Sequence, residues 1–304
     1  MSTPVLTTET DNAAQRTARS LIGSGQSILT VLSYNRVGLI AAWLFVAIVV
    51  ISFLAPIVVA EPEPDMSQVY IAPSFAHPLG TDFQGADVFG QVLRGGETVL
   101  IVGAAAAALV TLIAITFGAL AAYAGGWVDT VITGAADVVL TIPGFPLLAV
   151  LASIVRLNNP LLLAGLIGAL GWPVLLRAVR GQVLSLKERD YVEAARSLDL
   201  GTAHVLFKEI LPNMRAYIAI YFVLSMTQAI YSQVGLYLLG FAPLSGDNWG
   251  IMLNLAWYRG AIFYKNSFWY IMGPIVAISL VQLVMVTMTR SLEEAFNPRL
   301  RRES

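Results

Sequence analysis

Few residues in this chain could do chemistry, and their types and positions rule most chemistries out. It holds no cysteine and only two histidines, His77 and His204, so thiolate catalysis, disulfides and cysteine-based metal sites are excluded. The three lysines, Lys187, Lys208 and Lys265, follow Leu, Phe and Tyr. A phosphate-cradling GxxxxGK[ST] loop needs its lysine directly after glycine, so this chain is not itself an ATPase. One carboxylate is set apart. Asp137 lies inside the apolar run 131–155, where an acidic side chain costs about 2.5–3.5 kcal/mol at the bilayer centre and must face protein or water. A place on a translocation path and a structural bond to a neighbouring helix both fit it. Asp137 is alone in the spans, which argues against a membrane enzyme. The coupling-ion carboxylates and inverted repeat of a secondary transporter are not apparent either.

Composition dictates the elements that position these residues. Of 304 residues, 57% are hydrophobic and 12% charged, against about 25% charged in soluble domains, so the chain is a polytopic membrane protein. Crossing a hydrocarbon core about 30 Å thick takes about 20 apolar residues, and runs near 37–60, 98–124, 131–155, 160–180, 216–242 and 268–289 qualify. Each is expected to be a helix, because a backbone amide in lipid needs a partner within its own segment. The fold class is therefore all-α, with six spans. Basic residues orient it. With both termini in the cytoplasm, only Arg94, Arg156, Arg259 and Lys265 of the 18 Lys and Arg lie outside. The loop 61–97 after the first span is acidic and is placed outside; loop 181–215 and the tails 1–36 and 291–304 are placed in the cytoplasm of a multi-pass plasma-membrane protein. His77 and His204 then fall on opposite sides, which excludes a shared zinc site.

The first thirty residues are polar, and the first long apolar run starts too late and runs too long for a cleaved leader, so it is expected to remain as a span. Residues 1–18 have the composition of a frayed tail. Within 20–33, Leu21, Ile22, Ile28, Leu29 and Leu32 suit one side of a membrane-surface helix.

The stretch 191–214, YVEAARSLDLGTAHVLFKEILPNM, is a long polar island in an apolar chain. Tyr191, Ala194, Ala195 and Leu198 recur at helical spacing on one face, with Glu193, Arg196 and Asp199 on the rest. Gly201 then breaks the helix, Thr202 is the expected N-cap, and Ala203 to Leu211 reads as a second helix stopped by Pro212. A helix-turn-helix with a small-residue face suits docking into another protein's groove, and a solvated connector accounts for the same spacing.

Glu193-Ala194-Ala195, followed by Ile210-Leu211-Pro212, resembles the EAA loop of ABC-transporter permease subunits. VRGQVLSLKERDYVEAAR (179–196), HPLGTDFQGADVFGQVLRGG (77–96), AGGWVDTVITGAADVVLTIPG (124–144), FLAP (53–56) and NPRLRR (297–302) are similar to the dipeptide/oligopeptide/nickel group, and the His-Pro-Leu-Gly-Thr-Asp element to its C-type permease. Such a permease has the type I importer fold. The resemblance implies a second homologous permease, two ATP-binding subunits and an extracellular substrate-binding protein as partners, with no cofactor on this chain and ATP held by the partners. It implies coupling to the ATPase through Glu193, Ala194, Ala195, Leu198, Gly201 and Thr202. It also implies binding-protein contact in the outer loop, where His77, Gly80 and Asp82 are the candidates.

Two positions depart from the family pattern. Asp199 stands where a glycine is usual, with Gly201 two residues on, which predicts a displaced or reshaped turn. Gln233 stands in the fifth span where an acidic residue is common; with Asp137 it is a candidate for the translocation path. The resemblance implies a peptide cargo, with a short oligosaccharide as the alternative, since an amide bonds sugar hydroxyls as readily as peptide groups. Trp249, Trp257, Tyr258, Phe263, Tyr264, Phe268, Trp269 and Tyr270 are read first as an interfacial aromatic belt, with stacking on a substrate or contact with the binding protein as the alternative for some of them. Pro143 and Pro146 are expected to loosen the third span.

Overall fold

The chain's long apolar runs fold as helices, and polar caps fix where some of them start. In this computed structural model, residues 36–155, 157, 159–243 and 246–296 are described. The expected surface helix at 20–33, the tail beyond 296 and Arg156 lie outside the described residues. Helix α1 covers Arg36–Val58 and α2 Val88–Ala124. Helices α3 (Gly126–Thr141) and α4 (Gly144–Ile154) follow, then α5 (Pro160–Leu186). The polar island gives α6 (Asp190–Ser197) and a second helical run, α7 (202–213). Helices α8 (Arg215–Leu238), α9 (Trp249–Tyr258) and α10 (Phe268–Phe296) complete the order. The Asp87 carboxylate accepts from the Gly90 amide at 2.7 Å to start α2, and Asn159 accepts from Leu161 at 2.8 Å to start α5, where Pro160 needs no amide partner.

Five helices are long and apolar enough to cross a membrane, and α3 with α4 makes a sixth, broken span. The two halves meet at 84°. Pro143 causes the break: its ring disfavours helical backbone at the preceding residue, and Ile142 is extended at φ −95°, ψ 131°. Pro146, in contrast, falls in the first turn of α4, where a missing amide costs nothing. Loosening by Pro143 is thus a full corner rather than a mild kink.

Helix α2 begins ten residues earlier than the apolar run suggests. Its 37 residues make a rod about 56 Å long, well over the hydrocarbon thickness. It is the centre of the fold and packs along α5, α8 and α1. Gly103, Ala106, Ala107, Ala114 and Gly118 are buried along it, and small side chains let membrane helices approach closely. Ala42, Ile220 and Leu292 cluster, which puts the start of α1, the start of α8 and the end of α10 on one side, called here the Arg36 side. On the opposite side Arg94 of α2 reaches the Val59 carbonyl at 2.9 Å and the Asp247 carboxylate at 2.7 Å, drawing together the ends of α1, α2 and the loop before α9.

Candidate functional site

Helices α6 and α7 stand on the Arg36 side as one body bolted to the spans. Val192, Ala195, Val205, Leu206, Ile210 and Met214 are buried, and they share a cluster with Ala119, Ala122, Val179 and Val183 at the ends of α2 and α5. Two cations reinforce the seat. Arg196 lies over the Tyr123 ring, 5.2 Å from its centroid, and the Lys187 ammonium reaches the Ala122 carbonyl in the last turn of α2 at 3.4 Å. The opposite surface is open. Tyr191, Glu193, Ala194 and Leu198 are exposed on α6, and Gly201, Thr202 and Phe207 on the following run. Leu198 is 73% exposed and Phe207 63%, a large apolar display for a polar loop.

Several expectations about this loop are corrected. Ala195 does not share a face with Tyr191, Ala194 and Leu198; it turns inward with Val192, since i and i+3 align on a helix while neighbours diverge by about 100°. The helix breaks at Asp199, not at Gly201. Asp199 holds φ +55°; its amide bonds the Arg196 carbonyl at 2.9 Å and the Leu200 amide bonds that of Ala195 at 3.2 Å, the paired bonds of a Schellman turn. Asp199 therefore fills the family's glycine position without displacing the turn, because a short polar side chain tolerates the left-handed region. Gly201 has φ −55° and nothing within 4 Å of an added Cβ, and it, rather than Thr202, is the N-cap of the second helix.

Pro212 does not stop that helix but distorts it. Val205–Ile210 is π-helical, with the Leu211 amide reaching back to Leu206, and the α-helical Leu211–Asn213 follows. A proline ring clashes with the carbonyl four residues back and gives it no donor. Widening the preceding turn relieves the clash, and the Asn213 side chain donates to the Glu209 carbonyl at 2.6 Å.

On the opposite side, the His-Pro-Leu-Gly-Thr-Asp element is a knot bonded to itself. The buried Asp82 carboxylate accepts from the amides of Gln84 and Ala86 at 2.7 and 2.9 Å and from Gln91 Nε2 at 2.7 Å. Thr81 Oγ1 bonds the Gln68 carbonyl and accepts from the Ile71 amide. His77 Nδ1 stands 3.1 Å from Asp87, and Nε2 3.2 Å from Gln68. Gly80 has φ +74°, and a Cβ there would lie 2.4 Å from the Ile71 carbonyl oxygen, so glycine is required by the backbone and by space. Of His77, Gly80 and Asp82, only His77 is not buried, and 26% of its side chain is exposed; Phe75, fully exposed at the loop tip, and Met66 project instead. Asp65 at the start of the knot is held ionised below the ordinary carboxylate range, first by the Ser67 hydroxyl and then by the Ser67 amide and Gln68.

Within the spans, Asp137 pairs with Arg177 of α5, and Asp129 takes both Nε and one terminal nitrogen of Arg180 at 2.5 Å. Asp137 is thus not without a charged partner. The Arg177 and Asp137 side chains are 53% and 56% exposed. Gln233 is fully buried, donating to the Val99 carbonyl at 2.7 Å where α8 crosses α2, so it packs two helices of this chain and is not on the walls of the cleft described next. A cleft of about 550 Å³ lies instead between the α3–α4 corner, α5 and α8, with Leu140, Phe145, Val174, Ser225, Gln228 and Ser232 on its walls. In the aromatic group Trp249 and Tyr270 are core residues, Trp249 donating to the Val92 carbonyl at 2.7 Å. Trp257, Tyr258, Phe263 and Tyr264 remain exposed.

Residues 114–302 match the family described as binding-protein-dependent transport system inner membrane component. The match covers the broken span, the polar loop and the last two spans. The chain belongs to this family. Over its whole length it is similar to the dipeptide transport system permease protein DppC of Bacillus subtilis, 30% identical across 98% of this chain and 93% of that one. A Brucella suis protein named as a peptide permease is 35% identical across 77% of each chain. The oligopeptide transport system permease protein OppC of Mycobacterium tuberculosis is 33% identical across 58% of this chain and 61% of its own. The helices, with one broken span, are those of a type I importer permease, a multi-pass membrane protein.

Proposed function

We propose that this chain is one of two permease subunits in an ATP-driven importer of dipeptides or oligopeptides, and that α6 and α7 are the contact through which a separate ATP-hydrolysing subunit works the membrane helices. The observation that carries the reading is the two-sided build of that loop. One side is fixed to the ends of α2 and α5 through Val192, Ala195 and Ile210, while Leu198 and Phe207, with part of Tyr191, are held outward and are left uncovered by the described residues. A push on the outer side would be passed to the spans rather than absorbed by a hinge. Exposed apolar side chains on a rigid element are what a groove-shaped partner buries. Peptide is favoured over oligosaccharide because the relatives above are named for peptides. ATP and its chemistry would reside on the partner subunits.

In this reading the Arg36 side is cytoplasmic and the knot at 65–87 faces the binding protein, with Phe75 and Met66 as its most accessible contacts. Both parts can be tested in the cysteine-free background. Single cysteines at Ser67 and Ser197 would be exposed to an impermeant thiol reagent on intact cells; reaction at 67 alone is expected, and reaction at 197 alone would invert the topology. For the coupling role, Glu193→Lys should stop ATP-dependent peptide uptake by the reconstituted complex while the chain still inserts. Uptake at the wild-type rate would remove the loop from the drive train.

A further inference from the structure

We infer that the Asp137–Arg177 pair is a contact for the charged ends of the peptide on the translocation path; the inference rests on the peptide-import reading above. Three observations converge on it. The span is broken at Ile142–Pro143, and interrupted backbone at membrane depth is tolerated only where it is covered by protein or lines water. The cleft beside the corner, about 550 Å³, has the size of a small-molecule site and carries Ser225, Gln228 and Ser232 from α8 facing apolar Leu140 and Val174. Asp137 and Arg177 lie one helical turn from Leu140 and Val174 respectively, both displaced toward the Arg36 side, because α3 runs away from that side and α5 toward it. The ion pair is not among the cleft's wall residues but lies one turn beyond two of them, on the Arg36 side.

Its exposure separates it from its neighbour. Asp129 and Arg180 make a two-bond clip at 2.5 Å with side chains 20% and 32% exposed. Asp137 and Arg177 join the same two helices through one Arg177 nitrogen and leave more than half of each side chain open. Two charges open to hydrocarbon would cost several kcal/mol, so this surface faces a polar space. A pair that satisfies itself leaves an empty path neutral, yet each member suits one end of a zwitterion. The planar Arg177 guanidinium takes a terminal carboxylate by two parallel bonds, and the Asp137 carboxylate takes a terminal ammonium. Exchanging an internal ion pair for one with the cargo is close to balanced, as transit requires, because a path that bound its cargo strongly would not release it.

The test uses the whole complex, with both permeases, the ATP-hydrolysing subunits and the binding protein, in proteoliposomes. Trialanine uptake and ATP hydrolysis are measured together. Arg177→Gln and Asp137→Asn should keep binding-protein-stimulated hydrolysis within about twofold of wild type while the trialanine delivered per ATP falls about tenfold, the loss of one charge-assisted contact. Asp129→Asn, in the clip, should leave the yield per ATP unchanged. An unchanged yield in the Arg177 and Asp137 variants, or an equal loss in Asp129→Asn, would overturn the inference and leave the pair a structural clip. Should Arg177→Gln fail to assemble, Arg177→Lys decides: it keeps the charge without the fork, so an intermediate yield is expected and a wild-type yield contradicts. A wild-type complex that hydrolyses ATP but carries no trialanine would strike the peptide reading itself, an outcome separable from the rest.

Discussion

The two polar regions of this molecule are built on opposite plans. In the knot at 65–87 the motif residues point inward: Asp82, Thr81 and Gly80 satisfy or permit bonds within the loop. In α6 and α7 the motif residues Glu193 and Ala194, with Leu198 beside them, point outward, and the apolar positions between them fasten the loop to the spans. A recurring motif can therefore mark a shape that must be held or a surface that must be met. Burial separates the two: a carboxylate with three internal donors has little left for a partner, whereas Leu198 and Phe207 expose apolar area that no other described residue buries.

The sharpest way to break this contrast is to charge the outer face of the loop and to empty the inside of the knot. Leu198→Asp or Phe207→Asp should lower ATP-driven uptake about a hundredfold, as expected of an interface anchor, and leave the thermal unfolding of the isolated permease in detergent unmoved. Asp82→Ala should do the reverse, destabilising the chain by about 3 kcal/mol through orphaned buried donors before transport is directly affected. Arg94→Ala, which frees Asp247 and two carbonyls at the C-terminal end of α1, should cost about 2–3 kcal/mol in the same unfolding assay. Equal stability losses at Leu198 and Asp82 would erase the distinction.

Smaller effects sharpen it. Asp199→Gly relieves a left-handed non-glycine residue and should stabilise the turn by about 1 kcal/mol, while Gly201→Ala should be neutral for folding because φ is ordinary and the space is open. The smallest effect is in pH. Asp65 is lowered in the folded chain, chiefly by the Ser67 hydroxyl, so its contribution is complete at neutral pH and is lost as pH falls through that lowered value. The exchange protection of the Ser67 amide, bonded to the carboxylate at 2.9 Å, should hold from pH 7 to about pH 5 and fall below the ordinary carboxylate range.

Much of the fold was legible because lipid imposes length and helicity, which hydropathy reports directly. Five spans appear close to where their apolar runs lie. The sixth shows how far periodicity reaches. Pro143 announces a disturbance, but whether a proline kinks or corners a helix depends on the space beside it, here the cleft walled by Phe145 and Val174. The extra turns of α2 were hidden by Arg94 and Glu97, whose charges end a hydropathy run without ending a helix. Asp199 illustrates a departure from a motif that keeps the backbone and changes only the side chain. Gln233 and Asp137 mark the limit of reasoning on residue type alone: the amide was spent on a backbone carbonyl of α2, and the carboxylate had an arginine across the helix pair, facts set by which faces of distant segments meet.

The claim on which the account turns is that the outer face of α6 meets the motor. In the complete complex, with Leu198→Cys as the permease chain's only cysteine, a short bifunctional thiol–amine reagent should join this chain to an ATP-hydrolysing subunit, and Ser67→Cys should not be joined to it. The joined complex should keep its ATP-binding subunits through washing that strips them from Leu198→Asp. No adduct at position 198, or an equal adduct at 67, would contradict it.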